Sequence, residues 1–462
     1  MAPEGDVMPQ FTFELILLFT LCLIGAVVLV HLISRTRRAL SFSVVSITTY
    51  LLVYPVSGIA HLLQPLRGLR GYYDLAAEPG SAAVRISIVY AGFFALAIPL
   101  VWRERRVPKV DAVDPELRSG MRGTLIFAGL ALTAVALPSL ATIFAYSETV
   151  DSERIISLTG GLARVGFMSQ WIAWGVSFLV IAIAIAVRRG PRPVAQAIGL
   201  WVGMGALAIA AAFSWTGGRT VVVMMALPLV IALWPWIGKQ IRAAMLVSLG
   251  IAFAFFAVAQ TQARTVAAAA SAFDIGRLLD WEMGRYSMLG YAVDRVAQKG
   301  LLGGETLLEG MLQVPVGVAK LLGVDIAHGL HGITYFTAVD LIGDASFFYI
   351  VPGMAAEWYV NFGILGVVAA FAAVGIATRW VNDRFIASRD PLARLVLGYI
   401  GVLLIFCTFT AQSGSIFNYV LFTGLPALVL GWINSRKKRA STSQGDREPV
   451  GSDAIVGKLR GA

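Results

Sequence analysis

Long apolar stretches dominate this chain, and they restrict it to a helical fold embedded in a membrane. A bilayer core about 30 Å thick is crossed by roughly 20 apolar residues in a helix, which satisfies its own backbone hydrogen bonds in lipid. About eleven such stretches occur, at residues 11–34, 40–63, 82–102, 121–146, 167–187, 195–215, 220–237, 243–263, 347–377, 395–411 and 416–433. The sequence therefore predicts an all-α polytopic membrane protein with a large external loop of short amphipathic helices.

Composition supports this class and excludes others. Hydrophobic residues make up 58% of the chain and charged residues 14%, whereas a soluble domain carries about 25% charged residues. A water-soluble globular protein is therefore excluded, and the lipid bilayer, not a nucleic acid, is the expected partner. Cys22 and Cys407 both lie in apolar runs, which favours small core residues over a disulfide or a metal site.

Basic residues cluster in the connectors that follow the odd-numbered spans, at 35–38, 103–109, 188–192, 239–242, 379–394 and 436–439. The positive-inside rule assigns that side to the cytoplasm. The N-terminus is then outside and the C-terminus inside, and the first span, which lacks a basic segment before it, is expected to be retained. We expect an N-terminal membrane domain at 1–263, an external loop at 264–346, membrane helices at 347–435 and a disordered cytoplasmic tail at 436–462.

The external side carries arginines where basic residues are normally depleted, which predicts an anion-binding function for some of them. Arg219 lies in a tight turn after Gly217 and Gly218, where the glycines allow a ligand to approach the backbone. Arg264 begins the long loop. Solvated arginines without a function are the alternative at these positions.

The loop sequence 271–298 predicts a helix with an apolar stripe, and Arg285 falls on that stripe. A guanidinium on an apolar face requires a partner, a water-filled cavity or a path to the interface along its aliphatic stem. His328 and His331 are spaced i, i+3 farther along the loop, and Asp344 lies near its end. A metal site is not expected here, because no cysteine or carboxylate pattern accompanies the histidines; a general base or surface histidines remain open.

Glu357 and Asn361 are spaced i, i+4 in the ninth predicted span. An acidic group at membrane depth is typically functional or ion-paired. Three interpretations remain: a catalytic carboxylate, a structural salt bridge to an outer arginine, or a proton relay in a transporter. We favour the salt bridge.

Residues 195–422 resemble the Wzy-type O-antigen polymerases, which polymerise oligosaccharide repeat units. The resemblance depends on the turn Gly217-Gly218-Arg219, the Arg285 helix, the Gly303 and Pro315 region, and the motif Glu357-Trp358-Tyr359-Val360-Asn361-Phe362-Gly363-Ile364-Leu365-Gly366. The N-terminal half matches only in hydropathy, and the His328 and His331 arrangement matches no family motif.

This resemblance implies glycosyl transfer at the outer face of the bacterial cytoplasmic membrane, without a metal or another cofactor. A glycan on undecaprenyl pyrophosphate would move to another lipid-linked repeat unit, and a chain-length regulator is a candidate partner. Arg219, Arg264 and Arg285 would then bind the pyrophosphate. His328, His331, Asp344 and Glu357 are the candidate bases for the attacking hydroxyl, with Gly217, Gly218 and Asn361 in support.

Two alternative functions stay open. A relative of the O-antigen ligases would have similar spans and outer arginines but a different acceptor. A transporter of lipid-linked glycans or solutes would use intramembrane charges and interrupted helices.

Overall fold

The structure is a computed structural model. It describes residues 7–36, 41–63, 81–102, 123–134, parts of 171–182 and 227–231, most of 284–343 and most of 351–433. Within these residues all regular structure is helical, as the sequence predicts.

The helices occupy both the apolar stretches and the loop. Their bounds are α1 Val7–Thr36, α2 Phe42–Leu51, α3 Ser57–Leu63, α4 Ala82–Val101, α5 Tyr286–Lys299, α6 Glu305–Leu321, α7 Ile333–Ile342, α8 Met354–Ala387, α9 Pro391–Thr410 and α10 Ser413–Asn418. A π-helical turn at Leu52–Val56, which contains Pro55, joins α2 to α3. Proline lacks the N–H of a regular helical turn, so the wider turn lets the chain continue with little change of direction.

Among the described residues, four helices are long and apolar enough to cross a membrane: Thr12–Arg35, Phe42–Leu63, Ala82–Val101 and Met354–Ala387. They correspond to the predicted spans 11–34, 40–63, 82–102 and 347–377, although the last helix begins only at Met354 and continues ten residues farther than predicted, to Ala387. A shorter apolar helix at Gly123–Ala134 lies within the predicted span 121–146, and another at Leu392–Thr408 overlaps the predicted span 395–411. The total of about eleven spans remains a prediction.

One predicted span differs from the structure. The apolar run 416–433 is not one continuous helix, because a bend at Gly424 precedes a separate helical segment at 425–433. Apolar composition identified the run, but composition alone does not show where a glycine interrupts it.

Contacts between the helices show the direction in which each helix runs through the bundle. Tyr90 of α4 donates to the Leu17 carbonyl of α1 at 2.7 Å, and the amide of Ala355 donates to the Tyr54 hydroxyl at 3.2 Å. At the opposite end, the amide of Phe42 donates to Asn382 at 3.3 Å. Helices α1, α4 and α8 therefore run in one direction and α2–α3 in the other. We call the end with Glu14, Arg85 and Ala355 the loop end, and the end with Trp102 and Asn382 the basic end.

An aromatic cluster holds α2, α4 and α8 together in the bundle. The Tyr50 ring lies 4.8 Å from that of Tyr54, 5.9 Å from Phe93 and 5.1 Å from Phe371. The Tyr50 hydroxyl donates to the Val89 carbonyl at 2.7 Å, so its burial leaves no polar group unsatisfied. This packing fixes the positions of α4 and α8, which in turn position the loop end.

The predicted loop helix is present over only part of its range. Residues 271–283 lie outside the described part, and α5 begins at Tyr286, immediately after Arg285. Arg285 is thus the N-cap residue and not a member of the apolar stripe, which corrects the prediction. Of the predicted stripe residues that the structure describes, Met288 and Ala292 are buried, and Val296 is partly buried against the bundle. Helix α5 contacts α3, α4 and α8, so this part of the loop packs on the loop end.

Candidate functional site at the loop end

Helix α8 is interrupted inside the motif that begins at Glu357. Gly363 has φ 66° and ψ −156°, which is not helical and lies in a region that is essentially restricted to glycine. The segment 354–362 is therefore a short half-helix that carries Glu357 and Asn361. It begins after Gly353, which has φ 86°.

The turn at Leu302–Gly304 caps the end of this half-helix. The amide of Leu302 donates to the Val360 carbonyl at 3.0 Å, and that of Gly303 donates to the Asn361 carbonyl at 3.1 Å. Carbonyls in the last turn of a helix lack an intrahelical donor and need another one. Gly303 and Gly304 have φ of 61° and 98°, so glycine permits the turn that presents these amides.

Asn361 binds the loop with its side chain as well. Its amide oxygen accepts from the Gly304 N–H at 3.0 Å. Its amide nitrogen donates to the Thr306 hydroxyl and to the Glu357 carbonyl, both at 2.7 Å. Asn361 is 1% exposed, so these contacts satisfy a polar side chain within the bundle and join α8 to the start of α6.

Glu357 lies one turn earlier and is also 1% exposed. One carboxyl oxygen accepts from the Thr306 hydroxyl at 3.0 Å and from the Ser413 hydroxyl at 2.8 Å. The other oxygen accepts from the Ser413 backbone N–H at 3.1 Å. These donors come from α6 and from the start of α10, so Glu357 connects α8 to both of these helices.

This environment differs from the salt bridge that the sequence predicts. Among the described residues, no basic side chain forms an ion pair with Glu357, and hydroxyl and backbone donors contact the carboxyl group instead. Hydrogen bonds to a carboxylate oxygen compensate for burial in the same way that a cation does. A carboxyl group held by these donors is suited to holding the loop in place.

Arg285 packs against the start of the half-helix. Its Cβ, Cγ and Cδ atoms lie 3.1–3.3 Å from the position that a Cβ at Gly353 would occupy, so a side chain there would be crowded as well as strained by the positive φ. The Arg285 backbone N–H points to the Val53 carbonyl at 3.4 Å. Gly353 accepts the backbone hydrogen bond of Glu357 at 3.0 Å. Arg285, which is 6% exposed, is therefore one helical turn from Glu357.

A buried ion pair at the same end was not found from the sequence. Arg85 Nε donates to Glu14 Oε1 at 3.0 Å and Nη2 donates to Oε2 at 2.9 Å, in a bidentate arrangement. Arg85 also contacts the Ser81 hydroxyl, and the Tyr286 hydroxyl donates to Glu14. Arg85 lies at the predicted outer end of its span, but Glu14 is a single acidic residue in an apolar run, with no local pattern to indicate its partner.

A second cluster connects α5 with α7. Asp340 accepts from the Tyr291 hydroxyl at 2.9 Å and from Lys299 at 2.6 Å, and Arg295 Nε lies 3.3 Å away. Burial, together with the negative charge of Asp340, raises the pKa of Tyr291 well above its usual value. His331 stacks on Tyr335 with ring centroids 3.8 Å apart. In the described part of the chain, no group of metal-ligating side chains includes His331.

Several predicted site residues lie outside the described residues: Arg219, Arg264, His328, Asp344, Gly217 and Gly218. The structure brings together Arg285, Glu357 and Asn361 at the loop end. His331 belongs to the α5–α7 cluster, and no described contact links it to Glu357. No family model, curated protein or solved structure matches this chain.

Proposed function

We propose that this protein is a metal-independent glycosyltransferase that polymerises undecaprenyl-pyrophosphate-linked oligosaccharide repeat units at the outer face of a bacterial cytoplasmic membrane. The observation that carries the proposal is the convergence of the residues on which the family resemblance depends. Arg285, Gly303, Glu357 and Asn361 are well separated in sequence but meet at the loop end. A shared motif that also assembles in space is stronger support than a motif in sequence alone.

The proposed reaction breaks the bond between the anomeric carbon of the donor glycan and its pyrophosphate. A hydroxyl oxygen of the acceptor sugar forms the new bond, its proton passes to a base, and undecaprenyl pyrophosphate leaves. We assign charge stabilisation of the leaving pyrophosphate to Arg219, Arg264 and Arg285. His328, His331 and Asp344 are the candidate bases, whereas the donors around Glu357 favour a positioning role for that residue.

The direct test uses purified protein and lipid-linked repeat units. A ladder of products with increasing numbers of repeat units supports the proposal. A single transfer to a different acceptor favours a ligase, and unaltered substrate contradicts enzymatic activity.

Lysine variants of the three arginines test the pyrophosphate site. Lysine keeps the positive charge but loses bidentate geometry, so Arg219→Lys, Arg264→Lys and Arg285→Lys should each lower polymer formation by about tenfold or more, the loss expected when a charge-stabilising contact weakens by ~1.4 kcal/mol. Arg35→Lys, an exposed position in the last turn of α1, is the matched control. Full activity of all three site variants would contradict the assignment.

A transporter is the second candidate, and the break at Gly363 favours it. Transporters bind substrates at interrupted membrane helices, and Glu357 lies on such a half-helix. Reconstitution in vesicles separates the two functions: a transporter moves the lipid-linked glycan across the bilayer without changing its length.

A further inference from the structure

A groove at the basic end lies between the last turn of α4 and the second half of α8. Its lining residues are Ile98, Pro99, Trp102, Ile376, Arg379, Trp380 and Asp383. The cavity measures about 440 Å³, within the range of roughly 300–1,000 Å³ that is typical of sites for small ligands.

The groove changes from apolar to charged along its length. Ile98 and Ile376 are 53% and 61% exposed, and each lies four residues, about one helical turn, before the tryptophan of its own helix. Trp102 and Trp380, at 66% and 47% exposure, lie closer to the helix ends. Asp383 is seven residues beyond Ile376, or about 10 Å along the helix. Exposed tryptophans typically occupy the level of the lipid headgroups. The groove therefore matches a phospholipid in polarity: the isoleucines would face the acyl chains, and the charged end would face the headgroup.

Two arginine side chains lie at the polar end of the groove. Arg379 Nη1 contacts the Pro99 carbonyl at 3.3 Å and also the Trp102 carbonyl, at the C-terminus of α4. Its Nε lies 3.8 Å from the Asp383 carboxylate, which offsets part of its charge. The exposed side chain of Arg384 stacks over the Trp380 ring, 4.0 Å from its centroid, at the rim. Among the described residues at this end of the groove, one carboxylate accompanies two guanidinium groups, so their net charge is positive.

We propose that this groove binds an anionic phospholipid, with the phosphate at Arg384 and Arg379 and an acyl chain along Ile98 and Ile376. Electrostatic attraction selects anionic over zwitterionic headgroups. The tryptophan rings hold the glycerol region between them. This site is at the opposite end of the bundle from Glu357, so it is independent of the proposed glycosyltransferase function.

The test compares phosphatidylglycerol with phosphatidylcholine of identical acyl chains, added to the purified full-length protein in detergent and followed by native mass spectrometry. We expect wild-type protein to retain phosphatidylglycerol preferentially. Arg384→Gln should weaken that retention about fivefold, the effect of one basic residue near an anionic lipid. Arg35→Gln, which removes an exposed charge at the same end of the bundle but outside the groove, should not.

Each other outcome contradicts the proposal. Equal retention of both lipids by wild-type protein would show that the groove does not select for lipid charge. An equal decrease in phosphatidylglycerol retention in Arg35→Gln and Arg384→Gln would show that the lipid is attracted by the basic surface as a whole. If Arg384→Gln fails to fold, the Ile376→Trp variant tests the site instead. It fills the apolar part of the groove at an exposed position without changing the charge, and unchanged retention in that variant would overturn the site.

Discussion

Glu14 and Glu357, two buried carboxyl groups at the loop end, are satisfied in different ways. Glu14 pairs with Arg85, whereas Glu357 accepts from two hydroxyls and a backbone N–H. The sequence identified Glu357 as anomalous because an acidic group within an apolar span is costly. It did not identify the partners, since Thr306 and Ser413 are distant in sequence and hydroxyl donors carry no charge pattern. The buried ion pair of Glu14 with Arg85 was not predicted from the sequence.

The hydrogen bonds around Glu357 lead to a prediction for Glu357→Gln. Replacing one carboxyl oxygen with an amide NH2 places a donor opposite the Ser413 N–H or the two hydroxyls. We expect the free energy of unfolding to fall by ~1–3 kcal/mol, measured as a lower melting temperature in detergent, with polymer formation lowered in parallel. Glu305→Gln, a less buried carboxylate in the first turn of α6, should lose less than ~1 kcal/mol.

A different result would identify Glu357 as a catalytic residue. A Glu357→Gln variant that melts like wild type and binds lipid-linked substrate, but does not turn it over, would contradict the positioning role.

Tyr291 gives a pH-dependent prediction. Its pKa is raised by burial and by Asp340, so the unfolded chain ionises near pH ~10 while the folded protein keeps its proton. Its contribution to stability is fully present below that pH and is lost as the pH rises. Tyr291→Phe should therefore show a shallower decline in melting temperature between about pH 9.5 and 11. Identical slopes for variant and wild type would contradict this account.

The sequence predicts where the membrane helices lie but not where a helix is interrupted. Apolar length located α1, α2–α3, α4 and α8 because helix length follows from bilayer thickness. The break at Gly363 was not predicted, since a glycine within an apolar run is compatible with a continuous helix. The Leu302–Gly304 turn, which caps the half-helix just before Gly363, comes from a separate part of the chain, so no local sequence pattern indicates it.

Substitution of Gly363 tests whether this break holds the loop. An alanine at φ 66° and ψ −156° is strained, so Gly363→Ala should lower the free energy of unfolding by ~1–3 kcal/mol. The capping turn should also loosen, which would speed tryptic cleavage after the exposed Lys299. Gly329→Ala is the control, because a Cβ there meets open space, and its effect should stay within ~0.5 kcal/mol. Unchanged melting and cleavage in Gly363→Ala would show that other contacts maintain the break.

At the scale of the whole molecule, the helix directions constrain the topology. Helix α4 ends at the basic end and α8 begins at the loop end. The segment between α4 and α8 therefore starts on one side of the membrane and ends on the other, so it must cross the membrane an odd number of times. The spans predicted from the sequence in this interval, the fourth to the eighth, satisfy that requirement. The relative direction of α4 and α8 therefore agrees with the number of apolar spans predicted between them, whereas the packing of α5 on the loop end required the three-dimensional contacts of Tyr286 and Arg285.

Accessibility from the two sides of the membrane tests this topology. We propose that the loop end is external, because basic residues cluster in the connectors at the other end. In a background with Cys22 and Cys407 replaced by alanine, a cysteine at Leu301, which is 54% exposed and next to the capping turn, should react in intact cells with a membrane-impermeant thiol reagent. A cysteine at Asp383, where the side chain is 43% exposed, should react only after the membrane is opened. Because both positions are accessible in the protein, a difference between them reports sidedness and not burial. Labelling of Asp383→Cys alone in intact cells would reverse the orientation and exclude an outer-face glycosyl transfer at the loop end.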